Sequence, residues 1–281
     1  MRGAHGNAHA LQVVSWNVNG IRARWPRLEQ LLKAEQPDVV CIQETRCPEN
    51  RFPLGELQRL GYRCQHSPGA HSGGVAILVR SDHHITHRSL SLDHHHDIAE
   101  GHWLEVTMQG LTIGCVYVPA GPSGEELDDA AKLQFLEAVA HQAYDEHSHP
   151  LLIAGDFNVA PTDQDVYEPR WFENSYHTAR AEREDLREIL EDGELVDVYR
   201  VLHPDDRGYT CWDQREGHYA RDLGMRIDLF LASESLAEHV VRCEVNHEYR
   251  QGFRPSNHAP LEITLDDIEE CAHCLDGRVA A

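Results

Sequence analysis

The stretch IAGDFNVAPTDQDV (153–166) decides how this chain folds. With Leu151 and Leu152 before it, its opening residues make an apolar run of strand-forming type, which stops at Gly155-Asp156, with Asn158 and Pro161 turning the chain away. A rigid strand therefore ends on a carboxylate and a carboxamide. The arrangement recurs outward in both directions: Asn17 follows the run 11–16, Glu44 follows 38–43, Asp228 lies early in 226–232, and His258 stands just before 261–265. Asn and Asp end strands as ordinary turn formers, which accounts for single cases. It accounts poorly for the whole set, and strands that deliver metal- or phosphate-seeking groups at their ends build a preorganised site.

Apolar runs at 74–79, 103–108, 111–118 and 151–154 complete the strand candidates. Helical periodicity marks 25–35, 125–147 and 180–191, with Leu133, Leu136, Val139 and Ala143 spaced along one face. Short apolar runs alternating with helices indicate an α/β fold, and no internal repeat is visible. The length of 281 residues suits one large domain over 11–265, with 1–10 and 266–281 as extensions. No apolar run approaches the roughly 18 residues of a membrane span, and the first ten residues lack the apolar stretch of a secretion signal. A cytoplasmic protein without membrane contact is expected. The eight cysteines sit mostly inside apolar segments, as buried, reduced thiols do.

A formal net charge of −22 opposes a polyanionic partner if the charge is spread evenly. Of the 25 basic residues only Lys33 and Lys132 are lysines, leaving 23 arginines, a bias that suits forked phosphate contacts and a salt-adapted protein alike. At molar salt the Debye length is about 3 Å, so local arginine placement outweighs net charge.

Eight ordered segments carry more weight than any one of them: SWNVNGIRAR (15–24), CIQETR (41–46), SGGVAILVR (72–80), VYVPAG (116–121), IAGDFNVAPTDQDV (153–166), YTCWDQRE (209–216), MRIDLFLAS (225–233) and SNHAPLEI (256–263). Together they resemble the exonuclease III branch of the AP endonucleases, in the endonuclease/exonuclease/phosphatase superfamily, over about 11–265. The resemblance implies a four-layer α/β sandwich: two packed mixed β-sheets flanked by helices, with the site at one edge between them. It also implies a monomeric DNA repair nuclease, associated with the nucleoid. That enzyme would hydrolyse phosphodiesters at abasic sites and at blocked 3′ ends of double-stranded DNA, with 3′ to 5′ exonuclease and 3′-phosphatase action as family possibilities.

Phosphodiester hydrolysis needs a cation for the developing charge, an activated water, and donors around the phosphoryl oxygens. By the resemblance, Glu44 is the principal ligand of Mg²⁺ or Mn²⁺, with Asn17, Asn19 and Asn257 beside it. Asp156 aligns or deprotonates the attacking water, Asn158 holds a phosphate oxygen, Tyr117 directs its hydroxyl at the scissile phosphate, and Asp228 hydrogen-bonds His258. Plainer readings stand beside each: a Glu44–Arg46 ion pair, an Asx turn before Pro161, a core tyrosine. With 21 histidines in the chain, only position distinguishes His258. Two departures stand out. SNHAP replaces the family's SDHAP, so Asn257 removes an anionic ligand and is expected to weaken divalent binding. Gly101-His102, after Glu100, replaces the family's Gly-Arg and removes an arginine contact.

For DNA, Arg22, Arg24, Arg27, Arg46, Arg221, Arg226, Arg250 and Arg254 are expected to form a rim on phosphates. Trp212, with Tyr209 and Tyr219, is expected to pack against a flipped abasic sugar or wedge into the helix. Solvated arginines and a core tryptophan are the plain alternatives. Cys271 and Cys274 make a single CxxC, a weak zinc signal, and the histidines of 93–97 read as a solvated loop. Two other functions fit parts of the pattern. One is a phosphoesterase acting on a small molecule or lipid headgroup, which WNVNGIRAR and MRIDLFLAS disfavour. The other is a DNA-binding module that kept the fold and lost turnover, suggested by Asn257 and the negative charge.

Overall fold

A computed structural model describes residues 10–69, 73–92, 99–119, 126–146, 150–172, 177–215, 217–266 and 268. The histidine-rich run 93–97 and the 271–274 cysteines lie outside these residues.

Two six-stranded mixed sheets form the frame. The first orders β13 (Val240–Val245), β14 (Leu261–Leu265), β1 (Leu11–Asn17), β2 (Val39–Gln43), β4 (Val75–Arg80) and β3 (Tyr62–Ser67). The second orders β5 (Ile85–Ser89), β6 (Trp103–Met108), β7 (Leu111–Tyr117), β8 (Leu151–Asp156), β12 (Asp228–Ser233) and β9 (Leu195–Asp197). A small ribbon of β10 (Cys211–Trp212) and β11 (Gly224–Met225) lies apart from both.

Why the central strands read as unbroken apolar runs follows from period-two geometry with both faces covered. Along β1 and β2, Val13, Val39 and Cys41 enter the core between the sheets, while Val14, Trp16, Val40 and Ile42 face the opposite way. That outer face is covered by α1 (Ile21–Ala34) and α2 (Leu54–Arg59), through Ile21, Leu28, Leu31 and Leu57. Leu152 and Ala154 of β8 likewise meet the inter-sheet core, and Leu151 and Ile153 meet α3 (Glu126–Glu146) and α4 (Arg180–Asp192) through Leu136, Val139, Leu186 and Ile189. Each such side chain contributes about 1.5–3 kcal/mol by leaving water. The result is the expected sandwich of helix, sheet, sheet and helix.

Besides the two-residue strands β10 and β11, the strands not expected from the sequence are the edges: β13, β3, β5 and β9 close the two sheets, and their exposed positions carry Arg63, His87, Arg88, Arg242 and Glu244. Edge strands avoid apolar runs that would invite further pairing, so periodicity does not announce them. Helix α1 starts four residues before the position suggested by Trp25-Pro26, because the Gly20 and Ile21 amides donate to the Glu44 and Thr45 carbonyls at 2.8 and 2.9 Å. Among the described residues no helix is long and apolar enough to cross a membrane.

Candidate active site

Strand direction brings the sequence-distant groups together. Strands β1 and β2 run parallel, so Asn17 and the Glu44 that follows Gln43 emerge at the same edge, where antiparallel β14 begins and draws in His258. In the second sheet, parallel β7 and β8 end on the paired Tyr117 and Asp156, and antiparallel β12 begins with Asp228 opposite Asp156. Only glycine fits before Asp156, since a Cβ at Gly155 would lie 1.9 Å from the Val116 carbonyl oxygen.

His258 Nδ1 donates to Asp228 Oδ2 at 2.7 Å, and its Nε2 stands 3.7 Å from Asp156 Oδ2. All three residues are buried, and the carbonyl of His258 accepts from Trp16 Nε1 at 3.1 Å. Burial favours the neutral imidazole, but Asp228, Cys211 and Asp156 overcome it and hold the His258 pKa well above its ordinary value. Asp156 is pushed up to about 7, chiefly by burial and then by Asp228 and Glu44, against the opposing pull of His258 and Asn17. Asp228 Oδ1 is buried with no hydrogen-bond partner among the described residues, and ligand atoms of Asp156, Asp228 and His258 lie within 4.8 Å of one another. Excess buried negative charge with an orphaned oxygen is what a divalent cation fits.

The first sheet's contribution differs from the expectation. The Asn17 amide nitrogen donates to both Glu44 Oε1 and Asp156 Oδ2 at 2.8 Å, and its Oδ1 accepts from the Asn19 backbone at 3.0 Å. Asn19 Nδ2 in turn donates to Asn257 Oδ1 at 2.6 Å, and Asn257 Nδ2 reaches Cys211 Sγ at 3.6 Å. An oxygen turned toward two carboxylates would be repelled, so Asn17 orients them as a donor. The amide oxygens of Asn17 and Asn257 each accept a hydrogen bond from Asn19, so both asparagines belong to one amide network beside Glu44. Glu44 sits beside this network, takes a hydrogen bond from the Tyr117 hydroxyl and forms an ion pair with Arg46. Glu44 and Arg46 adopt φ of 49° and 44°, a costly conformation for such residues. Three backbone bonds impose it: Gly20 to the Glu44 carbonyl, and Thr45 and Arg46 to the Gly74 and Gly73 carbonyls at 2.9 and 3.1 Å.

Tyr117 is 5% exposed and its hydroxyl bonds to Glu44; burial first, then Glu44 and Asp156, push its pKa upward and keep the phenol a donor. Sequence reading saw in His102 only a missing arginine. Its ring stacks on Tyr117, with centroids 5.4 Å apart and planes at 8°, and its Nδ1 bonds the Tyr117 carbonyl at 2.8 Å. Asn158 takes φ 51° and anchors one amide N–H on the Val118 carbonyl at 2.8 Å. Buried Lys132, ion-paired with Glu182, donates to the Asn158 carbonyl at 2.8 Å, and His177 Nδ1 contacts the same oxygen at 2.7 Å. Neither support was foreseen; a lysine on an otherwise apolar helical face, one of only two in the chain, was the available signal.

The expected DNA contacts divide. Arg226 is fully buried, held by Asp165 and Asp197 at 2.7 Å each, so it is a structural cation and not a phosphate contact. Trp212 is also fully buried, its Nε1 on Asp222 at 3.1 Å and its ring edge-on to Tyr219, and Tyr209 is buried beside it. Trp212 thus packs as a core residue in this structure. Arg22 turns to the Arg51 carbonyl at 2.6 Å and to Glu56 at 3.3 Å. Arg24 remains at the rim, with Arg27, Arg250 and Arg254 around one cavity.

A profile of the Endonuclease/Exonuclease/phosphatase family matches residues 14–258. The exodeoxyribonuclease III of Haemophilus influenzae is 31% identical in an alignment of 265 positions that covers 89% of this chain and 98% of that protein. The 3′-5′ exonuclease NExo from Neisseria meningitidis superposes with a TM-score of 0.87 at 31% identity, over 91% of this chain and 100% of the other. An AP endonuclease from Archaeoglobus fulgidus gives a TM-score of 0.86 at 33% identity, over 91% and 99%. With a profile match across most of its length and relatives of matching extent, this chain belongs to the endonuclease/exonuclease/phosphatase family.

Proposed function

We propose that this protein is a Mg²⁺- or Mn²⁺-dependent DNA repair nuclease that acts as a monomer. Its substrates would be phosphodiesters at abasic sites and 3′ ends of double-stranded DNA. The observation that carries the reading is the convergence of Glu44, Tyr117, Asp156, Asp228 and His258 at one edge, where β2, β7 and β8 end and β12 and β14 begin. The similarity to an exodeoxyribonuclease III and to an AP endonuclease supports the choice of DNA.

Glu44 and the facing carboxylates of Asp156 and Asp228 would hold the cation. When bound, a divalent cation neutralises charge on phosphoryl oxygens and acidifies a water. The remaining chemistry belongs to side chains. Asp156, pushed up to about 7, has the basicity suited to taking a proton from water near neutrality. His258, kept protonated by Asp228, presents Nε2–H to a phosphoryl oxygen, and the Tyr117 hydroxyl offers a second donor. Asn158, anchored on the Val118 carbonyl, would offer its remaining amide N–H to a phosphate oxygen, and Asn17 holds Glu44 and Asp156 in register.

The test is hydrolysis of a duplex carrying one abasic site, beside an intact duplex and inositol phosphates, across Mg²⁺ and Mn²⁺ concentrations. Incision at the abasic nucleotide that leaves a 3′-hydroxyl and stops with chelator is expected. Tight binding of abasic DNA with no incision even in excess Mn²⁺, or turnover of inositol phosphates alone, would overturn the reading.

A further inference from the structure

The loop from Arg250 to Ser256 carries an aromatic side chain that hydrolysis leaves unused. Phe253 is 83% exposed, more than any other large hydrophobic side chain among the described residues. A phenyl ring left in water forgoes the stabilisation that burial gives an aromatic side chain. The loop is nevertheless pinned in place. Gly252 has φ +85° and a Cβ there would come within 2.9 Å of Arg27 Nη2, while Arg254 has φ 47°. Arg27 Nη2 donates to the Phe253 carbonyl at 3.2 Å, and Ser256 Oγ donates to the Asn17 carbonyl at 2.6 Å. The second bond fastens the loop to the end of β1, and so to the hydrolytic centre. The Arg254 guanidinium sits 5.4 Å over the ring.

The surroundings choose the partner. Arg24, Arg27, Arg250 and Arg254 line a cavity of about 980 Å³ together with Phe253, and no carboxylate lines it among the described residues. In a chain of net charge −22 that segregation is a strong local asymmetry. Burial first, and then Arg46 and Arg254 against the opposing pull of Glu44, lower the Arg24 pKa; burial chiefly lowers that of Arg250. On helix α4 the reverse holds: Asp185 is raised to about 6 by burial and by Glu188, Glu137, Glu184 and Glu182. The loop thus presents a positive, aromatic surface beside the site while the acidic charge collects elsewhere.

We propose that Phe253 is a specificity-determining residue: its ring stacks on the base left without a neighbour beside a missing base, while Arg24, Arg27 and Arg254 hold the flanking phosphates. This rests on the reading of the chain as a nuclease of abasic DNA. An intact duplex offers no open base face, whereas a gap in the stack does, and aromatic–base stacking contributes about 1–3 kcal/mol. Phe253 stands five residues before His258, a chain reach of at most about 17 Å, so the ring and the hydrolytic centre address the same few base-pair steps.

The test uses a duplex with an abasic analogue flanked by 2-aminopurine, titrated with the full chain in Ca²⁺ to allow binding without turnover, beside an intact duplex. The wild type is expected to prefer the abasic duplex and to quench the 2-aminopurine. Phe253→Ala is expected to reduce that preference about tenfold, as loss of one stacking contact requires. Phe253→Trp is expected to restore it, with quenching of its own emission on the abasic duplex. If the wild type prefers abasic DNA and Phe253→Ala keeps the full preference and the quenching, the proposal for Phe253 is overturned and the nuclease reading stands. If the wild type shows neither preference nor incision, both fall.

Discussion

The two sheets meet at one edge yet bring opposite kinds of chemistry to it. The first supplies Asn17, Asn19 and Asn257 linked amide to amide, with Glu44 as its one carboxylate, already paired with Arg46. The second supplies the buried pair Asp156 and Asp228, two carboxylates that share the single imidazole His258 reaching them from the start of β14. Amides hold position without adding charge, and clustered carboxylates store charge that a proton or a metal ion must neutralise. The difference assigns geometry to one half and proton chemistry to the other, with Asn17 as the bridge between them.

Substitutions can break this division. The largest effect is expected from Asp156→Asn, which keeps shape but removes the proton acceptor: turnover on abasic duplex falls about a thousandfold at saturating Mg²⁺. A loss below tenfold would move the base elsewhere. Glu44→Gln should act on cation demand instead, raising the Mg²⁺ concentration for half-maximal rate about 10–100-fold, with the rate partly recovered at high Mg²⁺. An unchanged Mg²⁺ profile would show that the first sheet contributes no cation ligand. Smallest is Asn257→Asp, which adds a carboxylate beside Asn19 and is expected to lower the half-saturating Mg²⁺ about fivefold. No change, or a loss of activity, would mean the amide network itself is needed at this position.

How much of this could be read in the sequence follows from where each residue's signal lies. Glu44, Asp156, Asp228 and His258 sit at the ends of apolar runs, so local pattern marked them, and parallel β1/β2 and β7/β8 pairing brought them together. The amide orientations of Asn17 and Asn257 depend on partners far along the chain, and no local pattern encodes them. Arg226 and Trp212 misled for the same reason: a charged or aromatic residue beside a motif looks like a ligand until tertiary burial against Asp165, Asp197 and Asp222 is known. Phe253 was overlooked because a lone aromatic in a polar loop has no periodicity. Net charge was the least informative number, since it averages an acidic α4 with an arginine-lined cavity.

The ionisation of Asp156 reports directly on the cation site proposed at the second sheet's buried carboxylates. Carbon-13 NMR of the Asp156 carboxyl in metal-free protein should show titration near the value of about 7 set by burial and its neighbours. A nearby cation favours the charged form, so added Mg²⁺ should lower that value by about one unit or more. A midpoint at the ordinary aspartate value, or one that Mg²⁺ leaves in place, would contradict the account.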